Sequence, residues 1–246
     1  MTPHPRTAAA FALLLALFLC GAYLTVADPS GATITSNSTA GQPTSTPDSR
    51  NDSGGTITTI ILSSLQQDNR WKAYVGNVSG YLSLDDAAGN TIYDWNVGGT
   101  ASGELYVTRH ASVTFGNITC ITDGNISEES TYMNMTLSQQ DGVNMTFNYT
   151  SHQAITIGTI PPVSLGANSC RSTATYVNDS RQAAMDGTQL YQEVLTQDSS
   201  SRVVYITVLN NDQIGFNNRS YDFQIIVPEN PINLSQTVYY FFTELS

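Results

Sequence analysis

A chain of 246 residues with a formal net charge of −11 and only 12% charged residues is long enough for one β-sandwich or two small β-domains. The acidity argues against nucleic acid as a partner, because neutralising phosphates needs clustered Lys and Arg. Here nine basic residues are scattered singly and Lys72 is the only lysine, which also disfavours anionic lipid headgroups and leaves membrane contact to the N-terminal segment alone.

That segment opens the chain. Residues 1–6 carry a positive end, and no charge interrupts Thr7–Ala27. Residues 1–27 read as an export signal with Thr25-Val26-Ala27 as its cleavage site, or as a retained membrane anchor, since the apolar run is long enough to span a bilayer. Either places the remainder outside the cell or on its surface. Residues 28–55 are rich in Ser, Thr, Pro and Gly and hold one large aliphatic residue, too little to bury a core. They read as a disordered tether, flexible or glycosylated. Residues 56–246 then form the ectodomain, with the option of two β subdomains.

Thr56–Leu65, TITTIILSSL, is strongly β-forming and reads as the first strand. Pairing within its own sheet is the first expectation, and donation to a neighbouring copy's sheet edge is the variant. Arg70–Val78 follows, with Trp71, Ala73 and Val75 on one face and Lys72 and Tyr74 on the other. Tyr81–Asp85 and Thr91–Val97 read as a hairpin closed through residues 86–90. Glu104–Arg109 is a further strand. In Ser112–Ile121 the apolar parity flips at Gly116, which predicts a β-bulge. Asp123–Thr131 allows one helical turn starting at Ser127. Met133–Ser138 and Val143–Thr150 read as a half-buried hairpin, with Met133, Met135 and Leu137 facing Val143, Met145, Phe147 and Tyr149. Ala154–Ile160 and Thr173–Val177 are short strands. A meander follows over Leu190–Gln197, Arg202–Leu209, Tyr221–Val227 and Thr237–Leu245, the last buried on both faces. The predicted fold is all-β, mainly an antiparallel β-sandwich, preceded by an N-terminal hydrophobic helix.

Of three cysteines, Cys20 lies in the apolar segment. In an oxidising compartment the other two most simply form one disulfide, Cys120–Cys170, closing a loop of about 50 residues and contributing roughly 4 kcal/mol. Two buried free thiols are the alternative. Asn-x-Ser/Thr acceptor sites stand at Asn37, Asn51, Asn77, Asn117, Asn125, Asn134, Asn144, Asn148, Asn178, Asn218 and Asn233. Chance would give about 4 among so many asparagines, and a used acceptor must face outward. The bland alternative is that Asn and Thr serve simply as exposed strand and turn residues.

Catalytic motifs are lacking: the sequence holds no G-x-S-x-G, S-x-x-K, HExxH, P-loop or GxGxxG. His110 and His152 read as ordinary surface residues. Asp85-Asp86 and Glu128-Glu129 point to opposite faces if they lie on strands, so neither pair makes an acid–base dyad alone. Asp85, Asp86, Asn90 and Asp94 are oxygen-rich, as calcium requires, but their spacing departs from the calcium-loop pattern and Gly89-Asn90 accounts for the turn unaided. Calcium stays a weak candidate, and no other cofactor is expected. Tyr93 and Trp95 share a parity. Core packing is favoured for them, and exposure would make a sugar-stacking surface.

The blocks RWKAYVGNVSGYLSLDDAAGNTIYDW, VVYITVLNNDQIGFNNRSYDFQIIVPEN and TVYYFFTELS, with Cys120 and Cys170 between them, resemble a family of exported archaeal surface proteins of unknown function. The resemblance covers roughly 60–246. It implies a β-rich ectodomain behind a hydrophobic segment, an extracellular or cell-surface location, and no catalytic residues. The expectation is a non-enzymatic, glycosylated surface protein in structure or adhesion, its partners being surface proteins or glycans. A carbohydrate-binding module using Tyr93 and Trp95 is the alternative, and a secreted hydrolase is a more distant one.

Overall fold

The structure is a computed structural model and describes residues 28–42, 46–64, 66–80, 82–95, 102–182, 189–232 and 236–245. The export segment with Cys20, the residues Tyr81, Asn96 and Val97, and the acceptor Asn233 lie outside the described residues. The strands are β1 (Ser30–Gly31), β2 (Trp71–Gly76), β3 (Leu82–Asp85), β4 (Thr91–Trp95), β5 (Gly103–Thr108), β6 (Thr119–Cys120), β7 (Ile155–Ile157), β8 (Val163–Leu165), β9 (Arg171–Ala174), β10 (Gln192–Gln197), β11 (Val203–Val208), β12 (Gln213–Ile214), β13 (Ser220–Tyr221), β14 (Phe223–Pro228) and β15 (Tyr240–Leu245). Two helices, α1 (Asp123–Tyr132) and α2 (Val143–Thr146), and a 3-10 turn at Phe115–Asn117 complete the described elements.

The chain is mostly β and its pairings are antiparallel. A seven-stranded sheet runs β1-β15-β5-β11-β10-β6, with β9 also on β10. Its central strands are apolar on both parities and bury both faces. Leu105, Val107, Leu195, Val203 and Tyr205 join one core with Ile126, Met133, Val143, Phe147, Ile225 and Val227. Tyr106, Val194, Val204 and Ile206 join the other with Ile118, Ile155, Ile157 and Leu165. The β14–β2 pair and both helices therefore cover one face, and the β7–β8 hairpin covers the other. Strand β15, expected to be buried on both faces, touches both cores but is only half-buried: Phe241 packs on the first and Phe242 on the second, while Tyr240 is exposed.

Short strands β6 and β9 lie end to end along β10. Residues 192–195 pair with Arg171–Ala174, and Thr196 and Gln197 pair with Cys120 and Thr119. The disulfide Cys120–Cys170 joins the two pieces where they meet, with Cα atoms 4.9 Å apart. Two fragments, each too short to hold an edge alone, become one covalently closed partner for β10.

Several expectations are corrected. Thr56–Ser64 forms no strand and is exposed throughout. Conversely, the predicted tether is fastened: β1 pairs Ser30 with Thr243 and Gly31 with Phe242, Ala32 N–H donates to Phe241 O, and Gln42 N–H donates to Gln67 Oε1 at 2.9 Å. The Gly116 parity flip comes from the 3-10 turn, with no bulge. The helix is ten residues long; Thr122 caps it by accepting from Asn125 N–H, and Asp123, not Glu128 or Glu129, occupies its first turn.

The hairpin expected over 133–150 does not exist. Helix α1 ends in a Schellman motif, with Met135 N–H bonded to Ser130 O and Asn134 N–H to Thr131 O. Asn134 supplies the left-handed residue at φ 54°. Met133 and Met135 are both buried because the chain reverses between them. Val143 and Phe147 are buried as an i,i+4 pair on α2, while Leu137 and Tyr149 are exposed. In β2 the inward parity also differs from the prediction. Tyr74 packs edge-to-face on Phe241 at 5.0 Å, while Ala73 and Val75 are exposed. Lys72 can share the inward parity because Glu229 neutralises it and Thr237 O accepts from its ammonium at 3.0 Å. Trp71, expected on a buried face with Ala73 and Val75, is instead half-buried; it donates its indole N–H to Asp141 O at 2.6 Å and lies against Phe147.

Candidate functional site

The β3–β4 hairpin leaves the packed body and exposes nearly all of its surface. Its turn is built by one side chain. Asp86 Oδ1 accepts from Ala88 N–H and Asn90 N–H, and Oδ2 accepts from the Asn90 amide, each at 2.8 Å. Gly89 takes φ 80°, the left-handed conformation the turn requires. These bonds, Asn90's foremost, hold the Asp86 carboxyl below its ordinary pKa. Its oxygens are occupied by N–H donors, so turn chemistry accounts for the residue. Asp85 lies opposite Thr91 beyond a register shift, and Asp94 lies opposite Ser83. Among the described residues no cluster of His, Cys, Asp or Glu fits a metal ion, so the four calcium candidates are not drawn around one point.

Strand register sorts the rest of the hairpin. Leu82 stands opposite Trp95, and Leu84 opposite Tyr93. The four side chains share one face, an apolar and aromatic stripe. Tyr93 is 59% and Trp95 50% exposed, so both rings are on the surface and not in the core. Their centroids are 5.0 Å apart and their planes meet at 65°, an edge-to-face pair rather than a flat shelf. Ile92, 81% exposed, lies on the opposite face of β4 beside the carboxylate of Asp94.

The ten acceptor asparagines within the described residues divide in two. Asn37, Asn51, Asn77, Asn117, Asn134, Asn148, Asn178 and Asn218 are exposed. Asn125 and Asn144 are half-buried, with side-chain amides donating to Gln197 Oε1 at 2.7 Å and Leu137 O at 3.3 Å. Asn134, Asn178 and Asn218 also have positive φ. Left-handed turn geometry explains asparagine there, but not the Ser or Thr two residues on.

Three buried polar arrangements went unseen in the sequence. His152, read as a surface residue, is only 1% exposed. Its Nδ1 faces Gln153 O at 2.6 Å, so Nδ1 carries the proton, and Nε2 accepts from Ser169 N–H and Cys170 N–H at 3.1 and 2.9 Å. The ring is a clamp on the disulfide loop with both nitrogens engaged. Arg109 pairs with buried Glu129 at 2.5 Å, stacks over Tyr132, and shares Glu129 with the Tyr205 hydroxyl. The third is a carboxyl pair. Glu104 and Glu244 are partners across β5–β15, with Tyr106 O–H donating to Glu244 Oε2 and Gly158 N–H to Oε1 at 2.8 and 2.9 Å. Burial, then the neighbouring Glu244, push Glu104 up to about 8. Glu244 is buried with both oxygens occupied, so the pair is architecture. The 140 residues between the two carboxyls left no local signal.

Comparison with protein-family models, with curated proteins and with solved structures finds no match for this chain.

Proposed function

We propose that this chain is a non-enzymatic, glycan-bearing surface protein whose ectodomain makes an adhesive or structural contact through the β3–β4 hairpin. The observation that carries the reading is the apolar stripe of Leu82, Leu84, Tyr93 and Trp95 on a projecting hairpin. A two-stranded hairpin is marginal in water without something against its apolar face, and aromatic anchors on an otherwise polar surface are what interface centres are made of. Eight exposed acceptor asparagines and a disulfide-closed sheet suit an extracellular module. The resemblance to exported archaeal surface proteins points the same way.

The test is surface display of the full chain on its own cells, comparing it with Tyr93→Ser/Trp95→Ser. Both side chains are exposed, so the double variant keeps its fold. Loss of cell–cell or cell–matrix attachment at unchanged surface abundance supports the proposal; undiminished attachment sinks it. The second reading, direct glycan contact, draws on the same exposed rings. It predicts a glycan-array signal that Trp95→Ser abolishes, although rings crossing at 65° offer a sugar one stacking surface and not a continuous platform.

A further inference from the structure

The chain carries an unpaired β-forming segment and an unfinished sheet. Residues 56–64, TITTIILSS, have the composition of a buried strand, yet Ile57 is 101% and Ile61 96% exposed, with Ile60 and Leu62 exposed as well. Among the described residues this segment makes no backbone–backbone hydrogen bond. Water-facing isoleucines on an unpaired β-forming run are a template for pairing with another edge. The unfinished sheet is the hairpin. Among the described residues strand β4 pairs with β3 alone, and it is exposed on both faces.

We infer that residues 56–64 of one copy add as a strand to the free edge of β4 in a second copy, extending the hairpin into a wider sheet and linking chains into an assembly. This rests on the reading of the hairpin as the contact surface and names its partner. The side chains match by parity. Alternate residues of the segment put Ile60 and Leu62 on one face and Ile57 and Ile61 on the other. Strand β4 likewise has Tyr93 and Trp95 on one face and Ile92 on the other. A donor with aliphatics on both faces therefore extends both apolar surfaces at once, as strand addition requires.

Charge supports a second copy as the occupant. The chain's net charge is −11, so most of its surface repels another copy, but residues 56–64 contain no ionisable side chain and meet the aspartates of the hairpin without repulsion. The main sheet offers poorer docking: β1 already sits on the outer side of β15, and β6 and β9 close the side of β10. Within the single chain the segment does not pair with β4.

The experiment mixes two full-length proteins in a Cys20→Ser background, one carrying Ile61→Cys and the other Tyr93→Cys, and adds a short bismaleimide. A cross-linked dimer in the mixture, mapped to residues 61 and 93, is the expected result. Ile57→Asp/Ile61→Asp, at positions that touch nothing, should weaken self-association by about tenfold or more at unchanged thermal stability. Absence of the mixed cross-link overturns the inference. So does a link formed only within one molecule when both cysteines are on the same chain, and so does self-association indifferent to the aspartates. If Tyr93→Ser/Trp95→Ser abolishes attachment while no 61–93 link forms, the hairpin remains the contact surface and only its partner is misassigned.

Discussion

Replacing Glu104 by Gln should stabilise the fold at pH 8 and leave it nearly unchanged at pH 4. Glu104 stands across β5–β15 from Glu244, and burial followed by that neighbour lifts its pKa from 4.5 to about 8. Glu244 is itself raised, by burial above all; bonds from Gly158 N–H and Tyr106 O–H work against the shift and the charge of Asp28 adds to it. At neutral pH the folded state holds a proton on Glu104 that the unfolded chain has released. Stability falls with rising pH wherever the folded state binds more protons, by about 1.4 kcal/mol per pH unit for each proton. The contribution is fully present below about pH 4.5 and is lost progressively up to about pH 8. Taken whole, the window amounts to roughly 4–5 kcal/mol. Glu104 is partly exposed, and solvent screening brings the expected loss to about 2–3 kcal/mol.

Urea denaturation read by tryptophan fluorescence, at fixed ionic strength from pH 4 to 9, measures this. Trp71 is half-buried against Phe147 and reports unfolding directly. The wild-type and Glu104→Gln curves should meet at pH 4 and separate by about 2–3 kcal/mol at pH 8. Fully buried Glu193, lifted well above the ordinary carboxyl range by desolvation against one bond from Ile226 N–H, adds a slope of the same sign to both proteins, so it cancels in the difference. A constant gap at every pH, or a wild-type stability flat from pH 5 to 8, would refute the reasoning.

Other outcomes follow from single contacts. Gly103 has φ 121°, and a Cβ there would lie 2.1 Å from Glu244 O, so Gly103→Ala should cost more than about 3 kcal/mol by chemical denaturation; a cost under about 1 kcal/mol would contradict the close approach of β15. His152→Ala leaves the Ser169 amide and the buried Cys170 amide without an acceptor and should cost about 1–3 kcal/mol, with faster hydrogen exchange confined to that loop. Cys120→Ser/Cys170→Ser should lower stability by about 3–4 kcal/mol, and alkylation of both thiols in untreated native protein would deny the bond. Peptide mapping of protein from its own cells should find glycan on some of the eight exposed acceptors and none on Asn125, whose amide is committed to Gln197.

Legibility tracked how local each cause is. Strands β10, β11, β14 and β15 announced themselves because continuous or alternating apolar runs have few other uses. The β3–β4 turn was readable because Asp86, Gly89 and Asn90 make it within five residues. The disulfide followed from counting. Residues 133–150 misled because a period of two arises in more than one way. A Schellman reversal buried Met133 and Met135, and an i,i+4 helical pair buried Val143 and Phe147, and together they imitated two alternating strands. Strand β1 could not be read at all, since Ser30–Gly31 has no β propensity and is a strand only because β15 leaves an edge there. Asp222, just before β14, and Gln224 within it are polar yet buried. Asp222 accepts from Val78 N–H and Asp212 N–H, and the Gln224 amide is fully bonded to Thr175, Tyr176 and Phe216. Buried amides and carboxylates satisfied by distant backbone leave the same pattern in a sequence as solvated ones.

The block from Trp71 to Trp95 shows where architecture stops and surface begins. Its first half is fixed from several directions: β2 pairs with β14 along its whole length, Trp71 reaches Asp141, Tyr74 reaches Phe241, and Val78 N–H is held by Asp222. At Gly80 the chain passes so close to Leu245 that a Cβ would lie 2.5 Å from its Cδ1, so a side chain there would push against the end of β15. Beyond that point the described residues of the hairpin pair only with each other. One tryptophan therefore anchors the block in the core and the other stands in water at its far end, in a sequence whose composition hardly changes between them. A stable antiparallel β-core gains nothing from carrying Leu82, Leu84, Tyr93 and Trp95 into solvent, because exposed apolar β-structure invites unwanted pairing. Their placement on a hairpin set off from the core by a close-packed glycine is the observation on which the proposed contact role rests.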